Sequence, residues 1–497
     1  MKQFLRLFGL LALGWAAGCA PQPPVPVNLF VTADMEGVYW SRPEPRYDNE
    51  TVGGLAVLKS FLDKQTEPFL LLEGGNWFAQ TPEGTLFSKD YLSSLSEQLP
   101  YAARLFTEQD LAYGWGPLSH FLKDSPAPFI LSNVTLKGGY WPAGSKRWLL
   151  SQVGEYKIGI IGLVSPRAVR GPARRGGLVI ADPLETVREL VPQLREKGAQ
   201  AIVVLSGLGQ AENENAVTDF ELAEEISGID VIVRSGLGSE RAAVHRVGGT
   251  WLVYPGSRLA SVAKVQLLFT QDGALANIKV SHPVLYRRDF GEDETVAAET
   301  EKLRQAARSQ LIHRVGKSAQ EMSGRSDGES ALGNWAADCL RKWAKADAAV
   351  LNASALRSSL PAGPVTQYDL YNVYPYNDHV TYLTIKGAAL QQALEKSLSV
   401  ADNFPQIAGL QIKYRPDAAA GRRISAVKIN NAPLLPTATY RVAVPDGLLS
   451  GGAGHDGFID SLEFKNTQVE MRTVLRLCLA GKQEATPPAL GRWSVVK

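Results

Sequence analysis

Phe69-Leu-Leu-Leu-Glu-Gly-Gly-Asn-Trp-Phe-Ala-Gln-Thr81 is the stretch whose reading decides the fold. Phe69–Leu72 is a short apolar run that stops at Glu73-Gly74-Gly75-Asn76. A buried parallel strand running into a glycine-rich turn has this pattern. In open α/β sheets, ligands and catalytic groups gather just past the carboxyl ends of such strands. Upstream, Val27–Thr32 is a second apolar strand, and it ends in Ala33-Asp34-Met35-Glu36-Gly37. Between the two, the segment from Gly53 to Leu62 has apolar residues spaced by three and four, which predicts a helix. Strand, helix, strand is the grammar of an α/β layer.

The same pattern continues downstream. Strands are predicted over Pro128–Val134, Lys157–Ser165, Ala201–Gly207, Ile229–Ser235, Trp251–Gly256 and Ala263–Thr270. Helices are predicted over Ser93–Leu105 and Pro183–Glu196. These elements define a first domain over 28–290. Asp293–Leu311 is charged and helix-forming, and within 291–315 it reads as an interdomain helix. The second domain is expected over 316–497. It has helices at Glu329–Ala346 and Gly387–Ser397, strands at Ala348–Asn352 and Tyr440–Pro445, and a glycine-rich loop from Ser450 to Phe458.

Composition agrees with more than one domain, because 497 residues are too many for one ordinary core. Hydrophobic residues at 45% and charged residues at 21% are normal for a globular protein. A net charge of +2 argues against a broad nucleic-acid surface, so no nucleic-acid partner is expected. At the N-terminus, Lys2 and Arg6 precede the apolar stretch Leu7–Ala17 and then Gly18-Cys19. A charged start, a short apolar core and small residues before the cut make a secretory signal over 1–18. Ala16-Ala17-Gly18-Cys19 resembles a bacterial lipobox, which implies lipidation of Cys19 and export to a membrane face, with the outer membrane favoured. The proline-rich residues up to Val27 then form a tether over 19–27. Cys339 and Cys478 read equally as a disulfide or as two buried thiols.

The motif order resembles the two-domain 5'-nucleotidase family over nearly the whole mature chain. Glu329-Ser-Ala-Leu-Gly-Asn334 with Asp338 is similar to the family's "ESxLGNxxxDA" helix, and Asn352-Ala-Ser-Ala-Leu-Arg357 to its "NxGGIR" loop. Val365-Thr366, Asp369-Leu370 and Tyr374-Pro-Tyr-Asn377 resemble the next segment, followed by Phe404, Gly409-Leu410 and the loop ending at Phe458. The resemblance implies a metallophosphatase-like four-layer α/β sandwich followed by a separate α+β domain. It also implies that Asn352 and Arg357 contact phosphate or ribose, while Tyr376 and Phe458 stack on a base. The chemistry suits these residue types. A guanidinium grips phosphate with paired hydrogen bonds, and aromatic faces sandwich bases. Two departures stand here: Ala353 and Ser354 replace glycines, and the glycine loop is longer through Ala453 and His455.

The first domain departs further. The Phe69 stretch resembles the family's "LLLDAGDxxxGT" strand end, whose final Asp bridges two metals, and that position is Asn76. The family's "DxH" is Asp34 and Glu36. Its "GNHE" turn is Thr107-Glu108-Gln109-Asp110, with Gln109 in place of the catalytic His. "SHxG" and "GHxH" become Ser206-Gly-Leu-Gly209 and Ser235-Gly-Leu-Gly238. None of the six histidines, at 120, 245, 282, 313, 379 and 455, falls on a ligand position. Two-metal hydrolysis needs ligands for both ions and an open site for water. Asp34, Glu36, Asn76 and Glu108 therefore form a degenerate ligand set. It is expected to hold no metal, or at most one Mg²⁺ or Ca²⁺ ion through oxygen atoms.

Three functions follow as alternatives. One is a lipid-anchored protein that binds a nucleotide or nucleoside phosphate without cleaving it. Another is a phosphoesterase with a rebuilt metal site, and the third is a scaffold for a protein partner. A serine nucleophile at Ser206 is a weaker alternative, since no "GxSxG" elbow surrounds it.

Overall fold

The computed structural model describes residues 23–496, apart from 79–80, 88–94, 96, 112–114, 170–176, 210–216, 238–240, 401, 450–455, 459–460 and 482–483. The signal segment, Cys19, Gly238 and His455 lie outside the described residues.

The first domain is built on the two strands the sequence marked. Val25–Thr32 pairs in parallel with Phe69–Glu73, in a register that sets Asn28 against Phe69 and Thr32 against Glu73. Both strands therefore end at the same level, and so do their turns. Helix Leu55–Asp63 makes the crossover and buries Leu55, Leu58, Phe61 and Leu62. Tyr101–Arg104 adds to the far side of Phe69–Glu73 as a parallel strand. This corrects the helix expected over 93–105, of which 93–94 and 96 lie outside the described residues. The pairing partner decides this segment, because two alanines give little intrinsic preference for a strand.

These strands belong to a seven-stranded sheet. A six-stranded sheet that includes Tyr156–Val164 and Ala201–Gly207 packs against it. Leu29, Val31, Leu71, Ile158, Ile160, Val203 and Leu205 meet in the core between the sheets. Each such side chain contributes about 1.5–3 kcal/mol by leaving water. Pro183–Glu196 and Asp219–Glu225 cover the outer face of the second sheet through Val187, Leu190, Leu194 and Leu222. Helix, sheet, sheet, helix is the expected four-layer sandwich. Gly162 is needed where the two sheets touch: a Cβ there would lie 2.0 Å from the Ile130 carbonyl.

Glu294–Leu311, capped by the Asp293 carboxylate on the Val296 amide, leads out of this domain. The second domain centres on a five-stranded sheet, in the order Pro405–Ala408, Ala348–Asn352, Thr439–Pro445, His379–Lys386, Glu463–Glu470. Helices Ala331–Ala344 and Met471–Leu479 cover one face, and Gly387–Ser397 the other. Cys339 and Cys478 are disulfide-bonded, which joins the two helices of the first face. Of the two readings the sequence left open, the structure takes the disulfide.

Candidate functional site

Four strand-end turns converge on Asp34. The turn after Val25–Thr32 and the turn after Phe69–Glu73 lie side by side, with the amides of Asp34, Glu36 and Gly37 donating to the carbonyls of Gly75, Asn76 and Trp77. Asp34, Glu36 and Asn76 adopt left-handed backbone angles, with φ of 50°, 52° and 61°. Such angles are costly for residues with a side chain and persist where surrounding structure enforces them. A third turn is fixed by Asp110, whose carboxylate accepts from the amides of Asn76, Trp77 and Thr107, each at 2.8 Å. The fourth follows Val231–Arg234 and brings in Ser235-Gly236-Leu237.

Asp34 is fully buried and has a donor on every side. Its Oδ1 accepts from Asn76 Nδ2 at 3.0 Å and from the Gly236 amide at 2.8 Å. Its Oδ2 accepts from the Leu237 amide at 3.1 Å and from the Tyr254 hydroxyl at 2.9 Å. Burial raises its pKa to about 7, the neighbouring Glu36 adds to this, and the donors oppose it. Glu36 is also buried, and its Oε2 pairs with Arg258 Nε at 2.8 Å. Glu36 Oε1 and Asn76 Oδ1 have no hydrogen-bond partner among the described residues. Gln109, which the resemblance sets in place of a catalytic histidine, lies beside Gly236, and Glu108 is half-buried on the same short helix, Glu108–Leu111.

This donor set does not fit two metal ions. Both oxygens of Asp34 are committed to protein donors, and Arg258 takes one oxygen of Glu36, which leaves too few free oxygens for two ions. Among the described residues no group of three or more His, Cys, Asp or Glu has the arrangement to hold a metal. Ser206 does not form a triad either. Its hydroxyl donates to buried Asp219, which in turn pairs with Arg234 Nε at 3.1 Å.

In the second domain, strand Ala348–Asn352 runs into a single 3-10 turn. Asn352 Nδ2 donates to Ser354 Oγ at 2.8 Å, and the Ser354 amide donates to Asn403 Oδ1 at 2.9 Å. Arg357 follows and is exposed, and its guanidinium makes no hydrogen bond or ion pair with a described residue. It lines a cavity of about 510 Å³ together with Arg325, Ser326, Ser354, Ser358 and Asp402. Two guanidinium groups and several hydroxyls make this a donor-rich pocket. Tyr376 is half-buried with its ring edge-on to Tyr374, the centroids 6.0 Å apart. Burial raises its phenol pKa, nearby Arg357 lowers it, and Glu36 of the first domain raises it again. Tyr376 therefore lies within electrostatic reach of both domains' site residues.

Phe458 is placed differently from the expectation that it stacks on a base. Its ring is 0% exposed and belongs to the core beneath helix Gly387–Ser397. Gly457 packs directly on Ala393, which draws the next residue inward. Phe404 is an aromatic that the sequence reading did not assign to the site. It is half-exposed, its amide donates to the carbonyl of Ser326 on the pocket wall, and it follows Asp402 and Asn403. Its ring is propped edge-on by Trp493, with centroids 4.9 Å apart. The signal was present, since Phe404 belonged to a quoted motif, but it carried no assigned role.

Comparison with known proteins agrees with this architecture. The family model of the 5'-nucleotidase C-terminal domain matches residues 314–460. An endonuclease YhcR of Bacillus subtilis is 24% identical over 86% of this chain, and the chain spans 37% of that relative's length. A 5'-nucleotidase of Vibrio cholerae is 24% identical, with 94% of each chain covered. The crystal structure of a 5'-nucleotidase precursor from Thermus thermophilus superposes with a TM-score of 0.72 at 22% identity, covering 95% of this chain and 99% of the other. Residues 314–460 thus match the 5'-nucleotidase C-terminal domain family, and the chain as a whole has the two-domain fold of a solved 5'-nucleotidase.

Proposed function

We propose that the chain is an exported, lipid-anchored binding protein that captures a nucleotide or nucleoside phosphate and does not hydrolyse it by two-metal chemistry. The observation that carries this reading is the state of Asp34. All four of its hydrogen-bonding partners are protein donors, so the carboxylate that would hold a metal serves instead as the keystone of the strand-end turns. The second-domain pocket supports the binding half of the reading, with Arg357 free to pair with an anion. Asn352 braces the loop that presents it, Tyr376 feels the charge of Arg357, and the Phe404 backbone is bonded to Ser326 of the pocket wall. The nucleotide class rests on the family, whose Vibrio cholerae member is named a 5'-nucleotidase. The lipid anchor rests on the lipobox at Cys19.

A second reading has one observation in its favour. Glu36 Oε1 and Asn76 Oδ1 are buried oxygens without partners, and a single hard cation would satisfy them. The test is metal content together with AMP turnover on the mature chain, with Mn²⁺, Zn²⁺, Mg²⁺ and Ca²⁺ added separately and Asp34→Ala as control. We expect no bound metal and no turnover, with AMP binding detectable by calorimetry and weakened about tenfold or more in Arg357→Ala. Metal-dependent turnover that disappears in Asp34→Ala would make the chain a phosphoesterase.

A further inference from the structure

We propose that strand Glu463–Glu470 pairs edge to edge with the same strand of a second copy of this chain, about a twofold axis that passes through Phe464. The five-stranded sheet of the second domain has two edge strands, and they are unlike. Pro405–Ala408, on one edge, is buried along its whole length. It begins with a proline, which has no amide to offer. Glu463–Glu470, on the other edge, is exposed over its first three residues. Its inner side pairs with His379–Lys386, setting Glu463 against Thr384, Phe464 against Leu383 and Lys465 against Tyr382. Among the described residues no strand pairs with its outer side. The strand borders an open trough of about 820 Å³, lined by residues 462–465 together with Tyr382, Thr384 and Arg441, so there is space along it for a further strand. A bare edge of this kind is a template for pairing with another chain. The template is short, because Gln468 has a φ of 59° and its amide turns back onto Asn466 Oδ1.

The residues on this edge select a second copy as the partner. Residues directly opposite each other in an antiparallel pair lie on the same face of the sheet. With Phe464 opposite its own copy, Glu463 of each chain faces Lys465 of the other, giving two pairs of opposite charge. Both side chains are exposed, and neither is engaged with another described residue. On the opposite face the two Phe464 rings meet, and Leu462 faces Asn466. Phe464 is 44% and Leu462 60% exposed in the single chain, and both would be covered. The charges also fix the register. Moving the axis by one residue sets Glu463 against Glu463 or Lys465 against Lys465, and like charges directly opposite are destabilising. Such an interface is isologous and closes at two copies.

The test is sedimentation velocity of the mature chain over a dilution series. The variants are Glu463→Lys, Lys465→Glu and the double exchange Glu463→Lys/Lys465→Glu, with thermal melting to confirm that each folds. We expect a wild-type dimer. Each single variant should weaken it about tenfold or more, because it turns two attractive pairs into repulsive ones. The double exchange should restore it, since the pairs are then reversed but still complementary. Phe464→Cys should form a cross-linked dimer on mild oxidation, because directly opposite residues stand about 4.5–5.5 Å apart, within reach of a disulfide. A wild-type chain that is monomeric at every concentration would overturn the proposal. A dimer that the single variants do not weaken, that the double exchange does not restore, or that Phe464→Cys does not cross-link would also overturn it, by placing the contact elsewhere.

Discussion

At the scale of single residues, the first domain gathers its strand-end turns around one buried carboxylate. Two backbone amides, the Asn76 side chain and the Tyr254 hydroxyl surround Asp34. Glu73 closes the neighbouring strand, Phe69–Glu73, and is fully buried, accepting from Thr32 Oγ1 and from the Gly75 amide. Burial raises the Glu73 pKa from 4.5 to about 8, against the pull of Thr32, Gly75 and Arg104. Between those values the folded chain keeps a proton that the unfolded chain has released. Stability is therefore highest below the lower value, falls as pH rises through the window, and levels off above the upper one. Urea unfolding below, within and above the window should show this slope, and Glu73→Gln should flatten it. A slope as steep in Glu73→Gln as in wild type would assign the effect to other buried carboxyls. The departures at Glu36, Asn76 and Gln109 were legible in the sequence, because they stand at marked motif positions. The contact that Glu36 makes was not. Arg258 meets Glu36 from 222 residues away, on a loop that no motif marks.

At the scale of elements, the loop carrying Tyr376 is held from below by one arginine. Helix Gln367–Val373 begins with a capping box in which Thr366 and Asp369 satisfy each other's backbone amides. The chain then turns through Tyr374-Pro-Tyr-Asn377, and Arg472 Nη1 donates to the carbonyls of Tyr374 and Tyr376. Arg472 Nη2 donates to Asn377 Oδ1, and the guanidinium lies over the Tyr371 ring at 4.3 Å. Arg472 is 5% exposed, so these contacts are made out of water. Arg472→Met keeps most of the side-chain volume and removes the donors. It should destabilise the second domain by about 1.5–3 kcal/mol, since hydrogen bonds from a charged group have that worth. It should also weaken AMP binding while Arg357 is intact. Unfolding of the variant by denaturant, set beside its AMP affinity, checks both, and unchanged values in both would sink the positioning role. Elements with a strong internal pattern were legible: Pro183–Glu196, Ala201–Gly207, Ala348–Asn352 and Gly387–Ser397 have the bounds the sequence predicts. Tyr101–Arg104 was misread because its strand character comes from its neighbour. Trp148–Val153 and Ala243–Val247 lacked a run of buried residues and were not read as strands.

At the scale of the whole molecule, the two domains are secured by different means. The first buries a continuous core between two sheets. The second divides its apolar side chains between the two faces of one sheet, giving two smaller cores, and adds a covalent link. Cys339 and Cys478 join helices Ala331–Ala344 and Met471–Leu479 across 139 residues of sequence, with their Cα atoms 5.8 Å apart. The sequence permitted this pair but could not choose it, because the distance between two helices depends on the sheet beneath them. A link over so long a loop removes much of the freedom of the unfolded chain, and links of this kind contribute about 2–5 kcal/mol. The bond lies wholly inside the second domain, so its loss should act there first. Calorimetric melting with and without reductant should show the second-domain transition moving to lower temperature while the first-domain transition holds. Cys339→Ser/Cys478→Ser should melt like the reduced protein and should not respond to reductant. Equal displacement of both transitions would mean that the domains unfold as one cooperative unit, coupled where helix Glu294–Leu311 packs on helix Gln367–Val373. A ligand bound by the second domain would then raise both transitions together.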